Sequence, residues 1–265
     1  MSTTSENVKV KKEKKKIIET VGIVSEMQRE TPDTQTLRIR MPNLDPNDKP
    51  FQFKPGQFVM VRPEINGKVI PRAYSIASSP TRTLGDDGFF DLTVRQTENP
   101  TVSKWLNDRK VGDEILFRGP YGNFYWDETD PNSEQVFLAG GGSGVTPLKS
   151  IFEYIFDKGY ANQVKLLYSV RTQADIISYK ELSYLRDHTK NSKIVFTLTR
   201  EPENSTWNGR RGRINLKLVQ EELKDYDFNR TKCYLCGTPQ FVETLVELLE
   251  QAGISHDRIL HEKWD

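Results

Sequence analysis

The chain has 265 residues, with 38 Lys+Arg against 37 Asp+Glu and 10% aromatic residues. This balance argues against a chain built as a whole for nucleic acid or an anionic membrane, and the length allows two modest domains with real cores. No apolar run approaches the ~18 residues of a transmembrane helix, and no apolar stretch follows the N-terminal charges as in a signal peptide.

In chain order the first feature is KVKKEKKK, Lys9 to Lys16, six lysines in eight residues. Such a run repels itself, and residues 1–16 are expected as a disordered basic tail, with an arm for nucleic acid or an acidic partner as the alternative. Short β-patterned stretches follow: VGIVSEM, TQTLRIRM, GQFVMVRP, RAYSIAS, FFDLTVRQT and EILFRGP. Gly, Pro and Asp turns separate them, and one helix-like piece, TVSKWLND at 101–108, interrupts. Six short strands with such turns predict an antiparallel six-stranded β-barrel over residues 17–130. GPYGNF, 119–124, closes the last of these strands and by itself reads as a turn.

After the polar connector DETDPNSEQ, 127–135, the rhythm changes. QVFLAGG, QVKLLYSV, KIVFTLTR, KCYLCG and RILHEKW read as strands, and stretches with helical apolar spacing separate them. Alternating strands and helices predict a parallel sheet with helices on both faces over residues 131–265.

LAGGGSGVTPL, 138–148, ends a buried strand in Gly140, Gly141, Gly142 and Gly144. Thr146 suits an N-cap there and Pro147 the first helical position. By itself this is either a tight strand–helix turn or a phosphate cradle. On the first strand of an α/β domain it reads as a nucleotide pyrophosphate site, where a helix N-terminus offers unpaired N–H groups. CGTPQFV, 236–242, repeats the logic with Gly237, Thr238 and Pro239. Ligands in open α/β sheets sit beyond the carboxyl ends of strands, so both turns are expected to face one crevice.

Cys233 and Cys236 form a CxxC inside a strand pattern. Strand residues three apart point to opposite faces about 10 Å apart, beyond the ~7 Å a disulfide allows. One CxxC supplies half of a structural zinc site, so two free thiols and a reducing cytoplasm are expected, with no metal.

RAYSIASSP, 72–80, is a short strand bounded by prolines. Arg72 and Tyr74 share a face and Ser75 takes the other. The stretch alone fits either a solvated edge strand or a binding strand.

Taken together, RAYSIAS, GPYGNF, LAGGGSGVTPL, YLCGTPQFV and HEKW resemble, in order and spacing, the ferredoxin–NADP reductase family. The likeness is greatest to its oxygenase-reductase and cytochrome b5 reductase branch, and it covers about residues 17–265. It implies a flavin-binding barrel, with FAD rather than FMN, followed by an NAD(P)-binding α/β domain. Arg72 would bind a flavin phosphate, Tyr74 would lie on the isoalloxazine ring beside Ala73, and Ser75 would hydrogen-bond at flavin N5. Val94 and Arg95 would flank the flavin. Val102 and Ser103 would meet its pyrophosphate, although Pro100 stands where the family usually has Gly. Gly142, Gly144, Thr146, Gly237 and Pro239 would hold the nicotinamide nucleotide. Cys236 and Trp264 would lie beside the reacting rings.

The resemblance further implies a hydride passing between NAD(P)H and the flavin, and single electrons passing to a separate carrier: a ferredoxin, flavodoxin, cytochrome or oxygenase component. Two cysteines cannot hold a plant-type iron–sulfur cluster, so that carrier is expected on another protein. A non-catalytic adaptor subunit of a larger redox complex, or a nucleotide-binding domain without flavin, are the alternatives. NADPH is expected over NADH. Thr199 stands where the branch places an acidic residue, Arg200 follows it, and Ser169, Arg171, Arg210, Arg211 and Arg213 would gather round the ribose phosphate. Asp175 and Glu201 are nearby carboxylates of unknown direction.

Overall fold

The computed structural model of the chain describes residues 19–41, 51–84, 88–97 and 101–264. The Lys-rich tail and Pro100 lie outside the described residues. The first half folds into β1 (Glu19–Thr31), β2 (Thr34–Arg40), β3 (Phe58–Val61), a small hairpin of β4 (Glu64–Ile65) and β5 (Lys68–Val69), β6 (Arg72–Ser75), β7 (Phe89–Arg95), helix α1 (Val102–Asn107) and β8 (Glu114–Tyr121). Six of these strands pair antiparallel in the order β6-β3-β8-β1-β2-β7. A bridge between Ile76 and Leu92 joins the two ends and closes the barrel.

Alternation builds this barrel. In β2, Leu37 and Ile39 point inward and are fully buried, while Thr36 and Arg38 face outward. Val24, Val59, Phe90, Leu92 and Phe117 complete the same core. β1 is longer than its apolar pattern suggests, at 13 residues, and shifts register between Val24 and Glu26. Such a bulge bends a long strand so that it can pair on both sides, here with β2 and β8.

The second half alternates β9 (Gln135–Gly141), α2 (Val145–Asp157), β10 (Gln163–Val170), α3 (Tyr179–His188), β11 (Ser192–Leu198), β12 (Arg210–Arg211), α4 (Leu216–Leu223), β13 (Thr231–Gly237), α5 (Pro239–Gln251) and β14 (Ile259–Lys263). The strands are parallel, in the order β12-β11-β10-β9-β13-β14. The order runs outward from β9 in one direction and resumes with β13 in the other. The gap between the ends of β9 and β13 is therefore the switch point where such sheets bind ligands.

Two expectations change, and one feature is new. α2 begins at Val145 with Gly144 in the cap position, not at Thr146. A 3₁₀ turn over Gly142–Gly144 runs straight into the helix, and the Thr146 hydroxyl donates back to the Ser143 carbonyl at 3.0 Å instead of capping. Residues 210–211, which the sequence pattern leaves outside the strands, add β12 to the sheet edge. The β4–β5 hairpin had no sequence signal beyond Asn66-Gly67, both at positive φ. The cysteines behave as expected. Both are buried free thiols, Cys233 packed toward α4 and α5 and Cys236 toward α2 and α3.

Candidate functional site

The Gly-rich turn lies at the switch point. Gly142 has φ +55°, and its carbonyl accepts the Tyr168 hydroxyl at 3.0 Å. A Cβ on Gly144 would stand 2.2 Å from the Cys236 carbonyl oxygen, so the turn rests directly on the end of β13. At the second turn Thr238 caps α5, its side chain accepting from Phe241 N–H at 3.4 Å, with Pro239 at the first helical position. The Phe241 ring touches both turns: added Cβ atoms on Gly141 and Gly237 would meet it at 3.1 and 2.7 Å. The two glycine turns do face one crevice, and Phe241, which the sequence reading passed over, is wedged in it.

Cys236 lies fully buried beneath the Gly144 turn. Burial pushes its thiol far up, so it stays neutral. The Trp264 indole N–H donates to its sulfur at 2.8 Å, and Trp264 N–H donates to Gly237 O at 3.0 Å. These two bonds fix a half-buried aromatic over the strand end. Glu262, opposite Cys236 in the β13–β14 register, was also unassigned. Its carboxyl is partly buried, one oxygen has no partner, and burial pushes it up to about 7. The signal that could have found it is the parity of β14: Glu262 and Trp264 share a strand face.

On the barrel, β6 pairs with β3, setting Tyr74 opposite Val59 and Ser75 opposite Phe58. Arg72 is exposed, its guanidinium bonded to the carbonyl of neighbouring Pro71 at 3.0 Å. Tyr74 and Ala73 are half-buried, and burial pushes the Tyr74 hydroxyl up to about 12. Ser75 is 6% exposed, and its hydroxyl has no hydrogen-bond partner. The strand thus presents an orphaned buried hydroxyl beside an exposed cation and a half-buried ring. Val94 and Val102 are buried in the barrel core, so only their backbones are available to a ligand. Ser103 is buried 3.5 Å from the Thr97 hydroxyl. Arg95 reaches across to the other domain: its Nη1 lies 3.6 Å from where a Gly142 Cβ would stand, and its Nε donates to Asp33 at 2.8 Å.

The residues expected round the ribose phosphate follow the carboxyl ends of adjacent strands. Ser169 pairs with Gly141, and Arg171 and Thr199 lie one step past the paired Val170 and Leu198. Gly212 N–H bonds Leu198 O at 2.8 Å, which brings Arg213 to the same rim as Arg200. Thr199 is not open: its hydroxyl donates to Val170 O at 3.2 Å. Arg210 pairs with Glu221 at 2.6 Å and Arg211 bonds Trp207 O and Ser205 Oγ, while both line the same cleft as Arg213. Asp175 and Glu201 are turned to the backbone, accepting the N–H groups of Thr172 and Gln173 at 2.9 and 2.8 Å.

Clefts of about 450 Å³ under Trp207 and about 360 Å³ beside Arg213 flank the β11–β12 edge. Neither is the switch-point crevice, which Phe241 partly fills. Among the described residues there is no His/Cys/Asp/Glu group suited to a metal ion, and no helix long and apolar enough to cross a membrane.

Comparison with known proteins divides the chain the same way. Residues 22–126 match the oxidoreductase FAD-binding domain family and residues 138–247 the oxidoreductase NAD-binding domain family. The glycine betaine monooxygenase reductase subunit of Pseudomonas aeruginosa is 32% identical over 209 residues, 78% of this chain and 55% of that one. The sulfhydrogenase 1 subunit gamma of Pyrococcus furiosus is 32% identical over 216 residues, 79% of this chain and 67% of that one. This chain thus spans about half the length of the glycine betaine reductase subunits it matches. In fold it is similar to the cytochrome b5 reductase domain of Ulva prolifera nitrate reductase, with a TM-score of 0.78 at 23% identity over 92% of this chain and 97% of that one.

Proposed function

Because this chain belongs to the ferredoxin–NADP reductase superfamily, with an FAD-binding barrel followed by an NAD-binding α/β domain, we propose that it oxidises NAD(P)H and passes single electrons to a separate carrier protein. Ferredoxin, flavodoxin, a cytochrome or an oxygenase component fits that role, since the relatives include an oxygenase reductase subunit and a hydrogenase subunit. The observation that carries this reading is the buried, unpartnered Ser75 hydroxyl on the strand that also bears Arg72 and Tyr74.

A flavin bound at β6 would supply the two-electron acceptor and the one-electron donor that link nucleotide to carrier. The Arg72 fork would take its phosphate, the Tyr74 ring its flat face, and the Ser75 hydroxyl a ring nitrogen at its edge. The Gly142–Gly144 turn and the start of α2 would take the nucleotide pyrophosphate. Cys236, held neutral by burial, and Trp264, tied to its sulfur, would shape the slot for the nicotinamide. No side chain needs to act as a base, because a hydride moves between cofactors and the protein's contribution is placement.

NADPH is the proposed donor. The usual selector of NADH is a carboxylate on the ribose hydroxyl, and Thr199 stands in its place. Arg171, Arg200 and Arg213 follow three adjacent strand ends, while Asp175 and Glu201 are occupied by backbone N–H groups.

The test is direct. Purified protein should be yellow and should bleach on adding NADPH. Colourless protein that takes up no flavin, or yellow protein that neither nucleotide reduces, would overturn the reading. For donor choice, kcat/KM with both nucleotides is compared in wild type and Thr199→Asp. Wild-type preference for NADH, or an unchanged ratio in the variant, refutes the NADPH assignment.

A further inference from the structure

The segment that continues β6 is gripped by one face of α2. Lys149 Nζ donates to Ala77 O at 3.3 Å, Ser150 Oγ donates to Ser78 O at 2.7 Å, and Glu153 accepts Ser79 N–H at 3.1 Å. One turn on, Asp157 accepts the Thr81 hydroxyl. Successive backbone groups of the barrel are thus read by side chains at i, i+1 and i+4 of a helix in the other domain. Lys149 and Glu153 pair with each other at 2.6 Å and are 8% and 10% exposed in their side chains. Around them, Asp91 donates its N–H to Ser78 Oγ and pairs with Arg38, and Glu30 accepts Ser178 N–H across the same interface. Burial would strip the Lys149 proton, but the adjacent Glu153 reverses this and holds its pKa above the ordinary value.

Buried ion pairs are weak sources of stability, and apolar residues of similar volume often do as well or better. What fixes a register here is the set of bonds this pair and Ser150 make to the barrel backbone. If α2 slid by one turn, the pair would travel with the helix, and Ala77 O, Ser78 O and Ser79 N–H would lose their partners.

The two elements so locked are the ones that matter. Ser75 lies two residues before Ala77, and Gly144 lies five residues before Lys149. We propose that Lys149, Ser150 and Glu153 are positioning residues for electron transfer from nucleotide to flavin. They fix the height of the Gly-rich turn against the flavin strand, and hence the approach of the nicotinamide to the flavin ring. This rests on the function proposed above.

The experiment uses the flavin-loaded full chain. Lys149→Met with Glu153→Leu removes both charges together, so the fold is expected to survive with wild-type flavin content, at a lowered thermal midpoint because Ala77 O and Ser79 N–H lose their partners. Stopped-flow flavin reduction by NADPH should then slow on the order of tenfold to a hundredfold, the range for a misplacement of about 1 Å. Nucleotide affinity should change far less, and dithionite should still bleach the flavin at the wild-type rate. Ser150→Ala, which removes one bond and leaves the pair intact, should slow the same step less. Lys149→Arg should restore most of it. A wild-type reduction rate in the folded, flavin-loaded double variant and in Ser150→Ala overturns the proposal. If even wild type is not reduced by nucleotide, it is the earlier reading that fails.

Discussion

Gly144→Ala puts a methyl group into the backbone of β13. The new Cβ would lie 2.2 Å from the Cys236 carbonyl oxygen, 2.5 Å from its carbon and 2.8 Å from Gly237 N, where ordinary contact is 3.4–4 Å. The backbone of Gly144 itself, at φ −63° and ψ −8°, accepts alanine without strain, so the whole effect is steric. No side chain can rotate away, because every atom in the way is main chain of a central strand. The Gly-rich turn must therefore lift from β13 by more than 1 Å, read from the difference between 2.2 and 3.4 Å. Overpacking of this kind costs about 1–3 kcal/mol of stability. A lift of about 1 Å between nucleotide turn and flavin strand should slow nucleotide-driven flavin reduction on the order of a hundredfold. Stopped-flow bleaching of the flavin, run beside thermal unfolding, measures both. Gly67→Ala, on the β4–β5 hairpin with nothing within 4 Å, carries only the strain of its φ of +72°, so it is the control for the rate alone and should leave it unchanged. A Gly144→Ala protein with wild-type rate and melting would refute the placement of this turn at the reacting centre.

Arg72→Ala should weaken flavin binding by about 1.5–3 kcal/mol, the range for a charged hydrogen bond. Equilibrium dialysis reads this, and unchanged affinity removes Arg72 from the flavin site. Trp264→Ala should change flavin fluorescence and the KM for nucleotide while the protein stays folded; a change in melting alone would make the indole a packing residue. Glu262, raised from its ordinary 4.5 to about 7 by burial, binds its proton more tightly folded than unfolded. Its contribution to stability is full below about pH 4.5 and is lost as pH rises through about 7, so the melting temperature of the wild type should fall over that window relative to Glu262→Gln. Parallel pH profiles for the two proteins would contradict this.

The sequence made the fold legible where pattern and punctuation agree. YKELSYLRDH is α3 residue for residue, and TQTLRIR shows its buried face in its alternation. It was less informative where tertiary pairing decides. Arg210–Arg211 carry no strand pattern of their own until β11 is there to pair with. Thr146 looks like a cap until the glycine turn winds into the helix ahead of it. At the site, RAYS and the two glycine turns announce themselves by residue type and order. Phe241, Glu262 and Lys149 do not, because their importance lies in what they touch: an aromatic between two glycines, a carboxyl lacking a partner, and a lysine bonded to another domain's backbone.

The shortness of β12 has a consequence for the protein in a crowded solution. A parallel sheet that stops at a long apolar strand exposes a ladder of unsatisfied amides, a template on which another chain can register. Here the ladder ends in two residues, both exposed arginines, one tied to Glu221 and the other to the Trp207 loop. β12 covers β11 only at Thr197 and Leu198, so what it guards is the carboxyl end of this edge, where an identical neighbour would set like charges against two arginines.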